Sequence, residues 1–232
     1  MKVKQELAHE PITRESFEIG RARAYPPGWI ENESIYLHME YKYLLELLKT
    51  GLYEEYYEEI RNTLIPFLKP EIYGRSILEN SSFIVSSAFP ESELHGRGFQ
   101  PRLTGASAEL INMWTLITAG EQPFFVDETG SLRLKLEPKL PDWLFTEKEE
   151  ICMTYTNKGE KIELTIPKNC FAFKFLGKTI VIYHNDRRKN TFGEDKAKIT
   201  HYTLKSTLIS PPAIVVGRLK LSLFDHITFK VE

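Results

Sequence analysis

At 232 residues, with 30 basic and 32 acidic side chains and a net charge of -2, the chain is long enough for one large core or two ordinary ones and carries no charge excess that would draw it to nucleic acid or an anionic membrane. Hydrophobic residues at 42% and charged residues at 27% are globular proportions, and no apolar run is long enough to span a bilayer. The N-terminal Met1-Lys2-Val3-Lys4-Gln5-Glu6 lacks the apolar centre of a signal peptide, so the expected compartment is cytoplasmic, with Cys152 and Cys170 as two buried thiols rather than a disulfide.

Residues 1–23 show no convincing period. Tyr25-Pro26-Pro27-Gly28 then makes a stiff turn, because each proline fixes its φ and removes a backbone donor while glycine takes dihedrals other residues avoid. The turn delivers Trp29-Ile30-Glu31-Asn32-Glu33 into a predicted helix over about 34–50, where Ile35, Leu37, Met39, Tyr43, Leu44, Leu45, Leu47 and Leu48 are apolar on almost every face and Gly51 supplies the stop. A second predicted helix spans about 52–68, with Tyr53, Tyr56, Tyr57, Ile60, Leu64 and Phe67 at helical spacing, and so short a link makes an antiparallel αα-hairpin. Residues 69–102 are too interrupted by proline and glycine for a helix and too long for a plain connection, the mark of a functional loop. A third helix over about 106–119 starts at Thr104-Gly105 and closes at Gly120.

Beyond Pro123 the period changes from helical to alternating. Runs near 132–136, 162–166, 171–175, 179–183, 199–204, 214–223 and 227–231 read as strands separated by turns, which argues for an antiparallel β-sandwich. The fold class expected is α+β, with a helical segment over 1–122 and the β-sandwich over 123–232. Aromatic residues at 12% suit a thick β core, and equally a sugar site that stacks pyranose rings.

Two places carry candidate chemistry. His38 shares a stripe with Tyr41, Leu45 and Leu48 at the start of the first helix; the ordinary role of such a histidine is a core side chain bonded to a backbone carbonyl. Thr104-Gly105 opens another helix, where free N–H groups and the positive dipole end favour an anion, although threonine is also a common N-cap. Gly96-Arg97-Gly98 and Arg102 add cations nearby. The loop carboxylates Glu31, Glu33, Glu91 and Glu93 show no spacing that picks out an acid–base pair. No residue pattern calls for a metal or cofactor.

Taken together, Tyr25-Pro26-Pro27-Gly28, Glu31-Asn32, His38, Gly96-Arg97-Gly98 and Thr104-Gly105 resemble, in order and spacing, the inverting glycoside phosphorylases of glycoside hydrolase family 94, the cellobiose and chitobiose phosphorylase group. The resemblance implies an (α/α)6 toroid followed by a C-terminal β-sandwich, with carbohydrate and inorganic phosphate as partners. It assigns phosphate binding to His38, Thr104 and Gly105, and places Tyr25, Glu31, Asn32, Arg97 and Arg102 in the substrate loops. The chain departs from the family at Ile30, Ile35, Gln100 and Arg102, which alters the sugar contacts. The family's general-acid aspartate and phosphate-clamping arginines precede the Pro-Pro turn and have no counterpart in this sequence. The expectation is therefore the C-terminal portion of a carbohydrate-active enzyme, inactive alone, completed by a separately encoded N-terminal half or by self-association, with partly uncovered apolar helix faces. The alternative is a non-catalytic carbohydrate-binding or accessory protein, and a third reading is a small glycosidase using the local carboxylates.

Overall fold

In the computed structural model, which describes residues 18, 23–101, 105–155, 159–177, 179–204, 207–209, 214–215 and 226–231, the Pro-Pro turn leads first into a strand and only then into a helix. Ile35–Tyr36 (β1) pairs antiparallel with Ser81–Ile84 (β2), which pairs antiparallel with Gly98–Pro101 (β3), giving the sheet order β1-β2-β3. The first helix, α1, therefore starts at Leu37 rather than at residue 34 and runs to Thr50. Ile35 is β-branched and its partner Ile84 holds it extended. Gly51 closes α1 in the left-handed conformation, with the Leu52 amide donating to the Leu47 carbonyl at 2.9 Å, a Schellman cap.

The second helix, α2 (Tyr53–Thr63), is shorter than its apolar pattern predicts. Pro66 has no amide to give the Asn62 carbonyl and its ring clashes there in a continued helix, so α2 stops at Thr63, the chain is extended at Leu64 and it continues as a short 3₁₀ turn over Ile65–Phe67. The hairpin core holds Leu37, Tyr41, Leu44 and Leu48 of α1 with Tyr56, Tyr57 and Ile60 of α2; burying each apolar side chain of this size contributes roughly 1.5–3 kcal/mol. Met39 and Tyr43, at 58% and 41% exposure, share the opposite side of α1, so the helix is not packed all round as its composition implies.

The stretch expected to be a long functional loop instead carries a one-turn helix, α3 (Pro70–Tyr73), and both longer strands of the sheet. The segment 1–122 is accordingly not purely helical. Tyr73 is fully buried, its hydroxyl 2.6 Å from both the Glu79 carbonyl and the Ser81 hydroxyl. A Cβ on Gly98 would stand 2.1 Å from the Tyr73 ring, so this glycine is required by close packing.

The chain divides into two compact units, residues 1–113 and 114–232, the division falling inside α4 (Gly105–Ala119). In the second unit Phe124–Val126 (β4) and Leu132–Leu134 (β5) form a hairpin that Ile214–Val215 (β12) joins at β5. Glu150–Tyr155 (β6) and Lys161–Ile166 (β7) form a second hairpin. The largest sheet has five strands in the order β11-β10-β13-β9-β8: Thr207–Ile209, Ile199–Leu204, His226–Val231, Thr179–Asn185 and Cys170–Phe175. Its β13–β9 pair is parallel, so the expected wholly antiparallel arrangement does not hold; two strands far apart in sequence are not constrained by a hairpin turn to run in opposite directions. Alternation gives the β8–β9 pair two apolar faces. Cys170, Ile180 and Ile182 meet Ile162, Leu164 and Ile166 of β7, while Phe173 stacks near Tyr183, whose buried hydroxyl donates to the Thr118 carbonyl at 2.7 Å.

Glu40 is the exception in the α1 stripe, a carboxyl only 7% exposed. Burial first, and the charge of Glu59 second, push its pKa up from 4.5 to about 7. The folded state thus holds the proton more tightly than the unfolded chain, so its stabilising effect is fully present below pH 4.5 and is lost as pH rises through about 7. Urea unfolding of Glu40→Gln is expected to show a gain of about 3 kcal/mol over wild type at pH 8.5 and little difference at pH 4.5; equal curves at both pH values would contradict the buried acid.

Candidate functional site

Residues 25–32 close on themselves. The Asn32 carbonyl accepts the amides of Gly28 at 2.7 Å and Trp29 at 3.1 Å, the Asn32 amide returns a bond to the Trp29 carbonyl at 3.1 Å, and the Asn32 side-chain amide donates to the Tyr25 carbonyl at 2.7 Å. Asn32 is buried and holds the loop from inside, with its Oδ1 lacking a partner among the described residues. Glu31 is on the exposed outer turn and Tyr25 is half-buried. The knot is seated by Trp29, whose ring centroid stands 4.7–5.2 Å from those of Phe83, Phe89 and Phe99. Gly28 has φ +84°, and a Cβ there would meet the Phe89 amide nitrogen at 2.3 Å. The Tyr-Pro-Pro-Gly motif therefore fixes a loop against the β2–β3 face.

The sheet also governs where the two helix starts lie. β1 and β3 are both antiparallel to β2, hence parallel to each other, and both leave the sheet at the end where β2 begins: Tyr36 is opposite Phe83 and Pro101 is opposite Ser81. Two strand spacings separate them by about 10 Å. α1 follows β1 without a gap, and α4 begins four residues after β3. His38, second in α1, and Gly105, first in α4, thus depart from one end of one sheet. The His38 ring is half-buried, 6.3 Å from the Tyr36 ring, and no described residue gives it the backbone hydrogen bond of an ordinary core histidine. Thr104 and Arg102, named from sequence, lie outside the described residues. Arg97 is exposed at the opposite end of β3, its stem beside Gly74.

One helical turn beyond His38, Tyr41 lines a cavity of about 380 Å³ together with Asn80, Pro101, Ser107 and Leu110. Asn80 immediately precedes β2, Pro101 ends β3 and Ser107 is in the first turn of α4, so the cavity opens at the sheet end from which both helices start. Tyr41 is fully buried, and among the described residues its hydroxyl and Asn80 Oδ1 both lack partners. Burial raises the Tyr41 pKa, an effect that the nearby Ile65 amide opposes without reaching hydrogen-bond geometry. Among the described residues no carboxylate lines the cavity.

Elsewhere the chemistry-bearing groups have structural roles. Glu91 and Glu93 are exposed, and the half-buried Glu33 offers its backbone carbonyl to the Ser86 hydroxyl. Glu40, missed as a buried acid, lies about 200° around the helix from His38 and so faces away from it; its spacing between Leu37 and Leu44 on the buried stripe was the available signal. Cys170 Sγ is 3.1 Å from His184 Nδ1, yet burial and Asp186 push the thiol up to about 11, so the pair is not a poised nucleophile. Both cysteines are free, Cys152 half-buried and Cys170 buried. The Asp127 carboxylate is held well below its usual range by Thr129, Ser131 and Arg133, and it ties the β4–β5 turn. Among the described residues no cluster of histidine, cysteine and carboxylate side chains is disposed to hold a metal, and no helix is long and apolar enough to cross a membrane.

Gly28→Ala, which sets a strained φ against the Phe89 backbone, is expected to lower stability by at least about 2 kcal/mol in urea unfolding; a variant as stable as wild type would contradict the observed packing of the knot. No protein-family model and no curated protein matches the chain.

Proposed function

We propose that the chain is the phosphate-holding part of a carbohydrate-active enzyme similar to the inverting glycoside phosphorylases, acting in the cytoplasm on carbohydrate and inorganic phosphate. His38 and the N–H groups that open α4 at Thr104-Gly105 take the phosphate. Tyr25, Glu31, Asn32, Arg97 and Arg102 shape the sugar side, with Asn32 acting from within the loop. The observation that carries this reading is the shared exit of β1 and β3, which starts α1 and α4 from the same end of one sheet. A histidine on one helix and free amides on the other then have the geometry to approach one oxyanion. Phosphorolysis needs an acid to protonate the leaving oxygen while phosphate attacks; with no described carboxylate lining the neighbouring cavity, that acid belongs to the sequence which, in the family, precedes the Pro-Pro turn.

The α1–α2 hairpin and α4 stand for the closing hairpins of an (α/α)6 toroid. The packing of β7 on the β8–β9 face supports a C-terminal β-sandwich. A second reading, a carbohydrate-binding or accessory protein without catalysis, is favoured by the inward role of Asn32 and by the same lack of a lining carboxylate.

A protonated His38 forms a charge-assisted bond to phosphate of about 1.5–3 kcal/mol, so its loss weakens binding roughly ten- to a hundredfold. Calorimetric titration of phosphate is expected to give weak saturable binding to wild type, reduced to that extent in His38→Ala and in Gly105→Val, whose branched side chain blocks approach to the backbone. Equal binding by all three proteins, or none by wild type, would overturn the assignment, and sugar binding without phosphate binding would select the second reading.

A further inference from the structure

Strand β6 turns its large apolar residues away from the core. Its inward positions, Cys152 and Thr154, are small and half-buried, opposite Leu164 and Ile162 of β7. Its outward positions are Ile151, Met153 and Tyr155, exposed at 63%, 54% and 54%. β7 keeps the usual alternation over the same rows, with Ile162, Leu164 and Ile166 packed on the β8–β9 face and Lys161, Glu163 and Thr165 outward and exposed. The inversion is therefore confined to β6, and a contiguous apolar stripe of this kind marks an interaction surface. No described strand pairs with the outer edge of β6, so that edge is open to another strand.

The charges at the two ends of β6 select the occupant. Glu147, Glu149 and Glu150, with Lys148 among them, lead into Ile151 and are all exposed, so this end is acidic on balance. At the other end Lys161 is opposite Tyr155, and the Lys174 ammonium donates to the Tyr155 carbonyl at 2.7 Å, against the one acid Glu160, so this end is basic. An edge that is acidic at one end and basic at the other is complementary to its own copy run in reverse.

We infer that β6 pairs antiparallel with β6 of a second copy of this chain, about a two-fold axis at Met153; the inference does not rest on the phosphorylase reading. Ile151 then lies opposite the partner's Tyr155, and Met153 opposite the partner's Met153, so the contact is closed and the acidic end of each strand adjoins the basic end of the other. Moving the axis to Cys152 sets Tyr155 opposite Glu149, and moving it to Thr154 sets Ile151 opposite Asn157, so no other antiparallel register matches all three apolar residues. Parallel pairing would bring acidic end to acidic end. A single six-residue strand pair is smaller than the ~1,200 Å² at which stable interfaces begin, so the dimer is a reversible one.

The test is sedimentation velocity on the full chain under reducing conditions, followed by mild oxidation of cysteine variants. Over about a hundredfold range of concentration, wild type is expected to pass reversibly from monomer to dimer. Met153→Lys, which sets two ammonium groups on Cα atoms about 5 Å apart across the axis, is expected to stay monomeric throughout with a wild-type circular dichroism spectrum. In a Cys152→Ser background, Met153→Cys is expected to form a disulfide-linked dimer, because opposite residues of an antiparallel pair stand within the span of a disulfide. Ile151→Cys in that background, more than about 13 Å from its copy, is expected to stay unlinked. A wild type that remains monomeric leaves the stripe to a different molecule and overturns the inference. So does a dimer that survives Met153→Lys, which places the contact elsewhere, and so does Ile151→Cys linking as readily as Met153→Cys. The cysteine pair reads the register independently of whether Met153→Lys folds.

Discussion

Phe83 at the centre of β2 is the contact on which the first unit depends. It is fully buried, opposite Tyr36 on one side and Phe99 on the other, and the Trp29 ring meets it edge-on at 5.1 Å and 70°. Aromatic pairs of this geometry contribute about 0.5–1.5 kcal/mol each beyond the area they bury. Their larger effect is on register: a one-residue slip of β2 would turn Phe83 to the other face and leave Trp29 without its seat. The same residue therefore fixes the Pro-Pro loop on the sheet and fixes the strands whose ends launch α1 and α4.

Positioning and acidity are consequently separated in this unit. His38 and Tyr41 share one side of α1, of which Tyr41 lines the cavity, while the raised-pKa Glu40 is turned into the α1–α2 packing beside Glu59. A protonated carboxyl near pH 7 is the usual property of a general acid, but here burial in the hairpin accounts for it, and its direction around the helix takes it away from the candidate oxyanion site. What the described residues place at this end of the sheet is the start of two helices, one imidazole and a rigid loop.

Much of the helical framework was legible in the sequence because local signals set it. Gly51 and Gly120 end α1 and α4 where their spacing predicts, and the hairpin follows from the short link between Thr50 and Tyr53. The sheet β1-β2-β3 was not legible. Ile35-Tyr36 is too short to show a period beside the longer apolar run of α1, and Ser81–Ile84 is buried at every position, so it lacks the alternation that marks a half-exposed strand. The parallel β9–β13 pairing, between strands about forty residues apart, depends on tertiary choice that local pattern does not encode. At the site, the motif residues were found but their structural roles were not: Asn32, expected in a substrate loop, ties that loop from inside, and Gly98 of the Gly-Arg-Gly motif is required by close packing on Tyr73, because burial is decided by partners distant in the chain.

The central claim is that β2 lies between β1 and β3, both running opposite to it, so that α1 and α4 start from one end. The most direct measurement is nuclear Overhauser contacts from the backbone of Phe83 in the isotopically labelled chain. Antiparallel cross-strand contacts to both Tyr36 and Phe99 are predicted. Contacts to only one of the two, or a pattern of parallel pairing on either side, would contradict the account.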